Sequence, residues 1–424
     1  MRISITDGRR VVLRAMAVFL IHGLSACVPE GGSDADGSDA DGRDADANEV
    51  IDFEALSATL LARMDLQPGE RVLLVGEGGS RWDAIVPLLR AGVRAAGGVD
   101  LGAVDVRGAV LGADEDIAGA DPSEGRPAEF AAALGTAPEG WAEPLATVDV
   151  AVKLPGAAAD PTLDNDVYRA LQDVLRSGRG RTVHFHWAGA TSFEMGELAV
   201  DDRVDRVYQT AVLDTDYAAL ADALAAFEAA LTSGPVRVTT PAGTDITFLV
   251  DDGPVTRQDG DASAARAERA RNLIDREVEI PAGAARVLPV LETVVGQIAF
   301  PPAQWGGERA EGVVLHFEGG RVVEVEADTG RDGVVREVEE AGEAGRTFRE
   351  LGVGFNPLLA IPEGEEWIPY YGYGDAVVRL SLGDNTELGG SVGGGYVRWN
   401  FFVDATVTVG GEVWVEGGRL VEGR

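Results

Sequence analysis

From Ile51 onward, apolar residues recur at helical spacing at Phe53, Leu56, Leu60 and Leu61. A Pro68-Gly69 turn then leads into the apolar run Arg71 to Val75, which predicts a helix followed by a buried strand. The bend Gly76-Glu77-Gly78-Gly79 opens a second helical stripe through Trp82, Ile85, Leu88 and Leu89. Short strands are predicted at Val148 to Val152 and Thr182 to His186, and a long helix from Tyr217 carries Leu220, Leu224, Phe227 and Leu231 on one face. Beyond Gly234 the pattern shifts to short strands, at Val236 to Thr240, Asp245 to Val250, Val313 to Phe317, Val322 to Val325, Val407 to Val409 and Val413 to Val415. Gly319-Gly320 and Gly410-Gly411 are the hairpin turns among them. The pattern therefore predicts an α/β N-terminal domain, residues 51–235, followed by a β-rich α+β domain, residues 236–424.

Before Ile51 the pattern differs. Arg9, Arg10 and Arg14 precede the apolar run Ala15 to Ile21, and Leu24-Ser25-Ala26-Cys27 has the small residues of a cleavage site. These four residues resemble the bacterial lipobox, so residues 1–27 read as a lipoprotein signal segment with Cys27 as the lipid attachment point. The apolar run falls short of the about 20 residues that span a bilayer. Residues 28–50 repeat Ser-Asp-Ala-Asp-Gly with almost nothing apolar to bury, the composition of a disordered acidic tether. Its alternating aspartates lack the glutamate that closes an EF-hand loop. Val28 is not the aspartate that resembles an inner-membrane retention signal. The expected address is the cell envelope, lipid-anchored, with the outer membrane favoured.

Composition narrows the function. Across 424 residues, 71 Asp and Glu outweigh 36 Lys and Arg, for a net charge of −35, which leaves no basic surplus for nucleic acid or anionic lipid. Membrane contact is expected through the lipid anchor alone. The single cysteine excludes an intrachain disulfide. The glycine bend after the first strand lacks the third glycine of a dinucleotide fingerprint, with Arg81 in its place, so it reads as a plain strand-to-helix turn. His184 and His186 alternate on one strand face, a spacing that suits a metal or an ordinary strand, with no third ligand nearby in sequence. No Gly-x-Ser-x-Gly elbow is present.

Several blocks, in order, carry a resemblance to the thermophilic-type metalloaminopeptidases, the aminopeptidase T and aminopeptidase S family. They are Pro68 to Leu73, Val236 to Asp245, Pro281-Ala282-Gly283 with Pro289, Glu292 and Gly296, Arg349 to Gly354 with Asn356, and the glycine-rich stretch Gly374 to Asn400. The resemblance implies a two-domain aminopeptidase T-like fold, usually a homodimer. It also implies a divalent metal pair held in the second domain by two Glu, two His and an Asp, beside a catalytic Tyr. Aligned block by block, those roles fall on Ala284, Glu350, Arg379, Arg398, Asn400 and Thr386; Glu350 alone is retained. Glu277 is an alternative for the first glutamate but requires a shift that breaks the Pro289 match. Arginine offers no lone pair at neutral pH, so Arg379 and Arg398 are not metal ligands.

Three readings follow. In the first, Arg379 and Arg398, with Asn385, Glu387 and Asn400 around Glu350, bind a small anionic or zwitterionic ligand, amino-acid or peptide-like, without dimetal chemistry. In the second, a rearranged site recruits Glu277, Glu350 and Glu387 and remains an aminopeptidase. In the third, the arginines close the site and the protein is a structural surface lipoprotein. No cofactor is expected except a divalent metal under the second reading, and any remaining activity is expected to be that of an aminopeptidase-like hydrolase.

Overall fold

Long apolar runs form the centre of the first of three sheets. The computed structural model describes residues 51–105, 110–111, 130, 132–133, 140–156, 180–251 and 255–421. Cys27 and the tether, residues 28–50, lie outside them. The first sheet contains β1 (Arg71–Gly76), β2 (Val99–Asp105), β3 (Val110–Leu111), β4 (Val150–Lys153), β5 (Arg181–Phe185) and β10 (Glu277–Ile280), in the order β10-β5-β4-β1-β2-β3. Its pairings are parallel except for β3. β4 and β5 are buried along their whole length, as strands covered on both faces must be. Helices α1 (Phe53–Met64), α2 (Ile85–Ala95) and α3 (Asp202–Leu213) accompany this sheet and share its core. Asp52 and Asp201 cap α1 and α3 by accepting from backbone amides in their first turns.

The remaining sheets are antiparallel. The second joins β9 (Val255–Gln258), β11 (Ala284–Val287), β17 (Phe348–Gly354), β19 (Val378–Gly383) and β20 (Val397–Arg398), with β21 (Phe401–Phe402) also on β19. The third contains β7 (Val236–Thr239), β8 (Asp245–Phe248), β12 (Val295–Ala299), β15 (Val314–Glu318), β16 (Arg321–Glu326), β22 (Thr406–Val409) and β23 (Glu412–Val415). Two ribbons complete the set, β13 (Ala303–Trp305) with β14 (Glu308–Ala310), and β6 (Thr191–Ser192) with β18 (Trp367–Ile368). β7 and β8 alternate buried and exposed positions, the pattern of a sheet with one wet face. The predicted Gly319-Gly320 and Gly410-Gly411 turns join β15 to β16 and β22 to β23, and all four glycines have the positive φ that such turns need. α4 (Tyr217–Leu231), capped by Asp216, buries Leu220, Leu224, Phe227 and Leu231 as the stripe predicts.

The packing between these layers positions the chemistry. Leu351 and Val353 of β17 enter a core shared with α4 and the third sheet. Alternation along the strand turns Glu350 and Gly352 to the opposite face. There Ala284 of β11 packs into the core of the first sheet. β10 itself belongs to the first sheet although it lies beyond residue 236, so chain from both halves meets along this edge.

Candidate functional site

Glu350 is fully buried, with three guanidinium groups around it. Arg286 Nε donates to its Oε2 at 2.9 Å, and Arg349 Nη1 donates to its Oε1 at 2.5 Å. Arg379 Nη2 stands 3.2 Å from Oε1. Glu387 completes the cluster: it accepts from Arg286 Nη2 at 2.9 Å and from Arg349 Nη2. Register explains the convergence. Gly352 lies opposite Arg286 on one side and Arg379 on the other, and a Cβ there would come within 3.1 Å of Arg379 Nε. Glycine thus leaves the space across which the guanidinium lies. Arg349 should face away from Glu350, its chain neighbour, but a β-bulge between Phe348 and Glu350 redirects the strand and lets both side chains enter one cluster.

Burial alone would push the Glu350 carboxyl up; Arg286, Arg349 and Arg379 together hold it well below the usual range. Burial likewise opposes ionisation of Glu387, and Arg286 and Arg349 reverse it. Three arginines against two glutamates leave one buried positive charge in the cluster. Arginine coordinates no cation, so these surroundings do not fit a metal pair at Glu350.

Arg379 differs from its two neighbours. Its Nη1 donates to the Tyr371 carbonyl at 3.2 Å, yet buried Nε and Nη2 have no hydrogen-bond acceptor. The contact of Nη2 with Glu350 is an ion pair by distance but not a hydrogen bond by geometry. Above the guanidinium lie the rings of Tyr373 and Trp399, each 5.7 Å from its carbon, and Trp399 is 41% exposed.

The other ligand candidates separate from this group. Arg398 turns to Glu337, with Nη1 donating at 2.8 Å, donates to the Gln304 carbonyl, and stacks 3.3 Å above the Trp305 ring. The expected pair of arginine forks around Glu350 is therefore corrected: Arg286 and Arg349 take the place assigned to Arg398, whose strand β20 carries it past the cluster. Asn400 accepts from Arg398 Nε at 3.2 Å and donates to the Leu380 carbonyl at 3.2 Å, a cross-strand tie. Asn385 accepts from the Val392 amide at 2.9 Å and braces its own loop. Glu387 does join Glu350, as a partner of the same arginines. Of the expected set, the structure brings together Glu350, Arg379 and Glu387.

A second constellation adjoins the first. His184, His186 and Glu279 converge, and Tyr370 Oη donates to Glu279 Oε2 at 2.9 Å. Burial pushes the Glu279 carboxyl up to about 7, against the Tyr370 hydrogen bond and the Arg286 charge. Burial, with the Lys153 charge, lowers His186 to about 3, so its ring is neutral. Tyr370 and Tyr371 have φ of 32° and 50°, left-handed conformations that tyrosine adopts at a cost of about 1–3 kcal/mol. The bend sets the Tyr371 ring against the Gly189 backbone, where a Cβ would meet it at 2.7 Å. Tyr371 also contacts Trp399, with rings 5.2 Å apart, and His186, 6.3 Å apart, so it links the two constellations.

Arg286 could have been found from alternation with Ala284. Arg349, Glu279 and the tyrosine bend carry no sequence signal beyond the run Tyr370-Tyr371-Gly372-Tyr373. In the glycine bend after β1 the Gly79 amide donates to Asp83 at 2.8 Å. Among the described residues, no helix is long and apolar enough to cross a membrane.

No protein-family model matches the sequence, and no curated protein matches it. Solved structures do resemble it. A 2,5-dihydroxypyridine dioxygenase from Pseudomonas putida KT2440 has a TM-score of 0.55 at 14% identity, over 87% of this chain and 96% of that one. Wild-type AmpT, an aminopeptidase T from Thermus thermophilus, has a TM-score of 0.52 at 16% identity, over 87% of this chain and 99% of that one. At these identities the likeness is one of fold, and this chain has the mixed α/β, aminopeptidase T-like architecture of several sheets and few helices.

Proposed function

We propose that this protein binds a small anionic or zwitterionic ligand through Arg379 and carries out no dimetal peptidase chemistry at Glu350. A dioxygenase and an aminopeptidase share its fold, so the fold selects no reaction and the site must be argued on its own residues. The observation that carries the reading is the edge formed by Arg379 Nε and Nη2, two buried donors that make no hydrogen bond, Nη2 having only its ion pair with Glu350 Oε1 at 3.2 Å. Leaving buried donors unmade costs about 1–3 kcal/mol each, a cost that a ligand acceptor removes. Nε and Nη2 form the side-on fork that meets a carboxylate with two parallel hydrogen bonds. The surplus positive charge of the cluster favours the same class of ligand. The Tyr373 and Trp399 rings lie 5.7 Å from the guanidinium carbon, and Trp399 is partly exposed, so a carboxylate on an apolar or aromatic body fits best. In the cell the protein is exported and tethered by lipid on Cys27, with the outer membrane favoured, which would present this site outside the cytoplasm.

Calorimetric titration of the chelator-treated protein with leucine, a leucyl dipeptide and benzoate tests the reading. Saturable binding of at least one of them, weakened at least about tenfold by Arg379→Gln, is expected. Absence of binding across the three, or binding indifferent to Arg379→Gln, sinks it.

A further inference from the structure

β5 and β10 are parallel neighbours, and their register sets Glu279 beside His184. The His186 amide extends the pairing by donating to the Ile280 carbonyl at 3.0 Å, so both histidines and Glu279 share one face. Buried Lys153 of β4 places its ammonium 3.1 Å from His184 Nε2. An ammonium only donates, so His184 accepts at Nε2 and keeps its proton on Nδ1, the nitrogen 3.6 Å from Glu279 Oε1. This fixed positive charge makes the lining unfavourable for a cation.

His186 is the member of the group with an unused atom. Burial and the Lys153 charge keep its ring neutral, so one ring nitrogen carries the proton and the other a lone pair. Its Nδ1 lies 3.6 Å from Glu279 Oε2, an oxygen that already accepts from Tyr370 Oη at 2.9 Å. The proton belongs on the nitrogen nearest that acceptor, which leaves the lone pair on Nε2. Nε2 is buried and makes no hydrogen bond, and a buried acceptor without a donor destabilises its surroundings until one is supplied. The His186 ring neighbours Tyr371 at 6.3 Å, the Tyr371 ring neighbours Trp399 at 5.2 Å, and Trp399 lies 5.7 Å from the Arg379 guanidinium carbon. The Tyr371 carbonyl accepts from Arg379 Nη1. The unused donors of Arg379 and the unused acceptor of His186 thus flank the same pair of rings.

Resting on the carboxylate reading at Arg379, we propose that His186 determines specificity at the same site, its Nε2 accepting from a neutral O–H or N–H group at the far end of the bound carboxylate. Two ring contacts intervene between His186 and Trp399, so the donor sits across an aromatic or similarly sized apolar body and not on the carbon next to the carboxylate. A ligand ammonium is the wrong group for this end, because the Lys153 charge and the surplus charge of the arginine cluster both oppose it. The ligand class is therefore a carboxylate with a distal hydroxyl or amide N–H.

The test is calorimetric titration of the chelator-treated, full-length protein with para-toluate, para-(hydroxymethyl)benzoate and para-(aminomethyl)benzoate, which share one body and differ in the distal group. The hydroxymethyl compound should bind at least about tenfold more tightly than para-toluate, and the aminomethyl compound no more tightly than para-toluate. His186→Phe should abolish the hydroxymethyl advantage and leave para-toluate affinity unchanged. Equal affinity for the first two, tightest binding of the aminomethyl compound, or an advantage that survives in His186→Phe overturns the inference. Should His186→Phe not melt cooperatively, ring-nitrogen NMR of the unsubstituted protein decides. An unprotonated His186 Nε2 whose resonance shifts with the hydroxymethyl compound and not with para-toluate supports the proposal, and a protonated or unresponsive Nε2 removes it. Equal binding of all three that is still weakened by Arg379→Gln leaves the Arg379 reading standing and ends this one; binding of none ends both.

Discussion

Glu350→Gln isolates the charge that organises the arginine cluster. Glutamine preserves the volume and keeps one acceptor, so the perturbation is electrostatic. In the native protein the carboxylate has no exposure, and Arg286, Arg349 and Arg379, at 5%, 1% and 4% side-chain exposure, lie 2.9, 2.5 and 3.2 Å away. A pair with charges about 4 Å apart is worth about 4 kcal/mol at an effective dielectric near 20. Desolvation offsets much of the sum, and removing one member of a buried pair costs about 3–5 kcal/mol because the partners stay buried. Glu387 alone would then face three guanidinium groups. The folded-state pKa of Glu350 is depressed, so its stabilisation is present above the unfolded carboxylate pKa of about 4.3 and is lost as pH falls through the folded value. Urea unfolding followed by tryptophan fluorescence should show the variant about 3–5 kcal/mol less stable at pH 7. Below pH 4.3 its acid slope should be shallower by about 1.4 kcal/mol per pH unit. A double variant, Arg286→Met with Glu350→Leu, removes one charge of each sign and should lose less than Glu350→Gln alone. Glu350→Gln within about 1 kcal/mol of the native protein, with an unchanged acid slope, would refute the reasoning.

Gly352→Ala places a methyl group 3.1 Å from Arg379 Nε and 3.2 Å from its Cβ, so it should destabilise by about 1–3 kcal/mol and weaken carboxylate binding together, as thermal melting and calorimetry would register. Arg398→Ala removes the Glu337 pair and the Trp305 stack; it should cost about 1–3 kcal/mol of stability yet leave carboxylate affinity unchanged, and loss of binding would return Arg398 to the site. Under the proposed lipidation, Cys27→Ser should abolish incorporation of labelled fatty acid and release the protein from membranes, since such an anchor would contribute about 0.8 kcal/mol for each buried methylene and the acidic segment after it would add no attraction.

Local pattern revealed the elements whose burial follows their own sequence. The α4 stripe, the β1 run and the two Gly-Gly hairpins are each set by residues only a few positions apart. The second sheet escaped local pattern, because β9, β11 and β17 carry buried arginine, glutamine and glutamate where an apolar pattern is sought. For the site, the family resemblance, aligned block by block, pointed to Glu350 and Arg379. Alternation failed at Arg349, where a bulge reverses the face it assigns, and the resemblance failed at Arg398, where a short strand carries the side chain to Glu337. The spacing of His184 and His186 was visible, but Glu279 joins them through a parallel pairing between chain segments about ninety residues apart, which local periodicity does not encode.

Anomalous diffraction from crystals soaked in Zn2+ tests most directly whether arginines have taken the place of a metal pair around Glu350. The account predicts no anomalous peak within coordinating distance of the Glu350 or Glu387 carboxylates, with Arg286 and Arg349 still bonded to both. Two peaks a few ångströms apart against Glu350, with the arginines displaced, would contradict it.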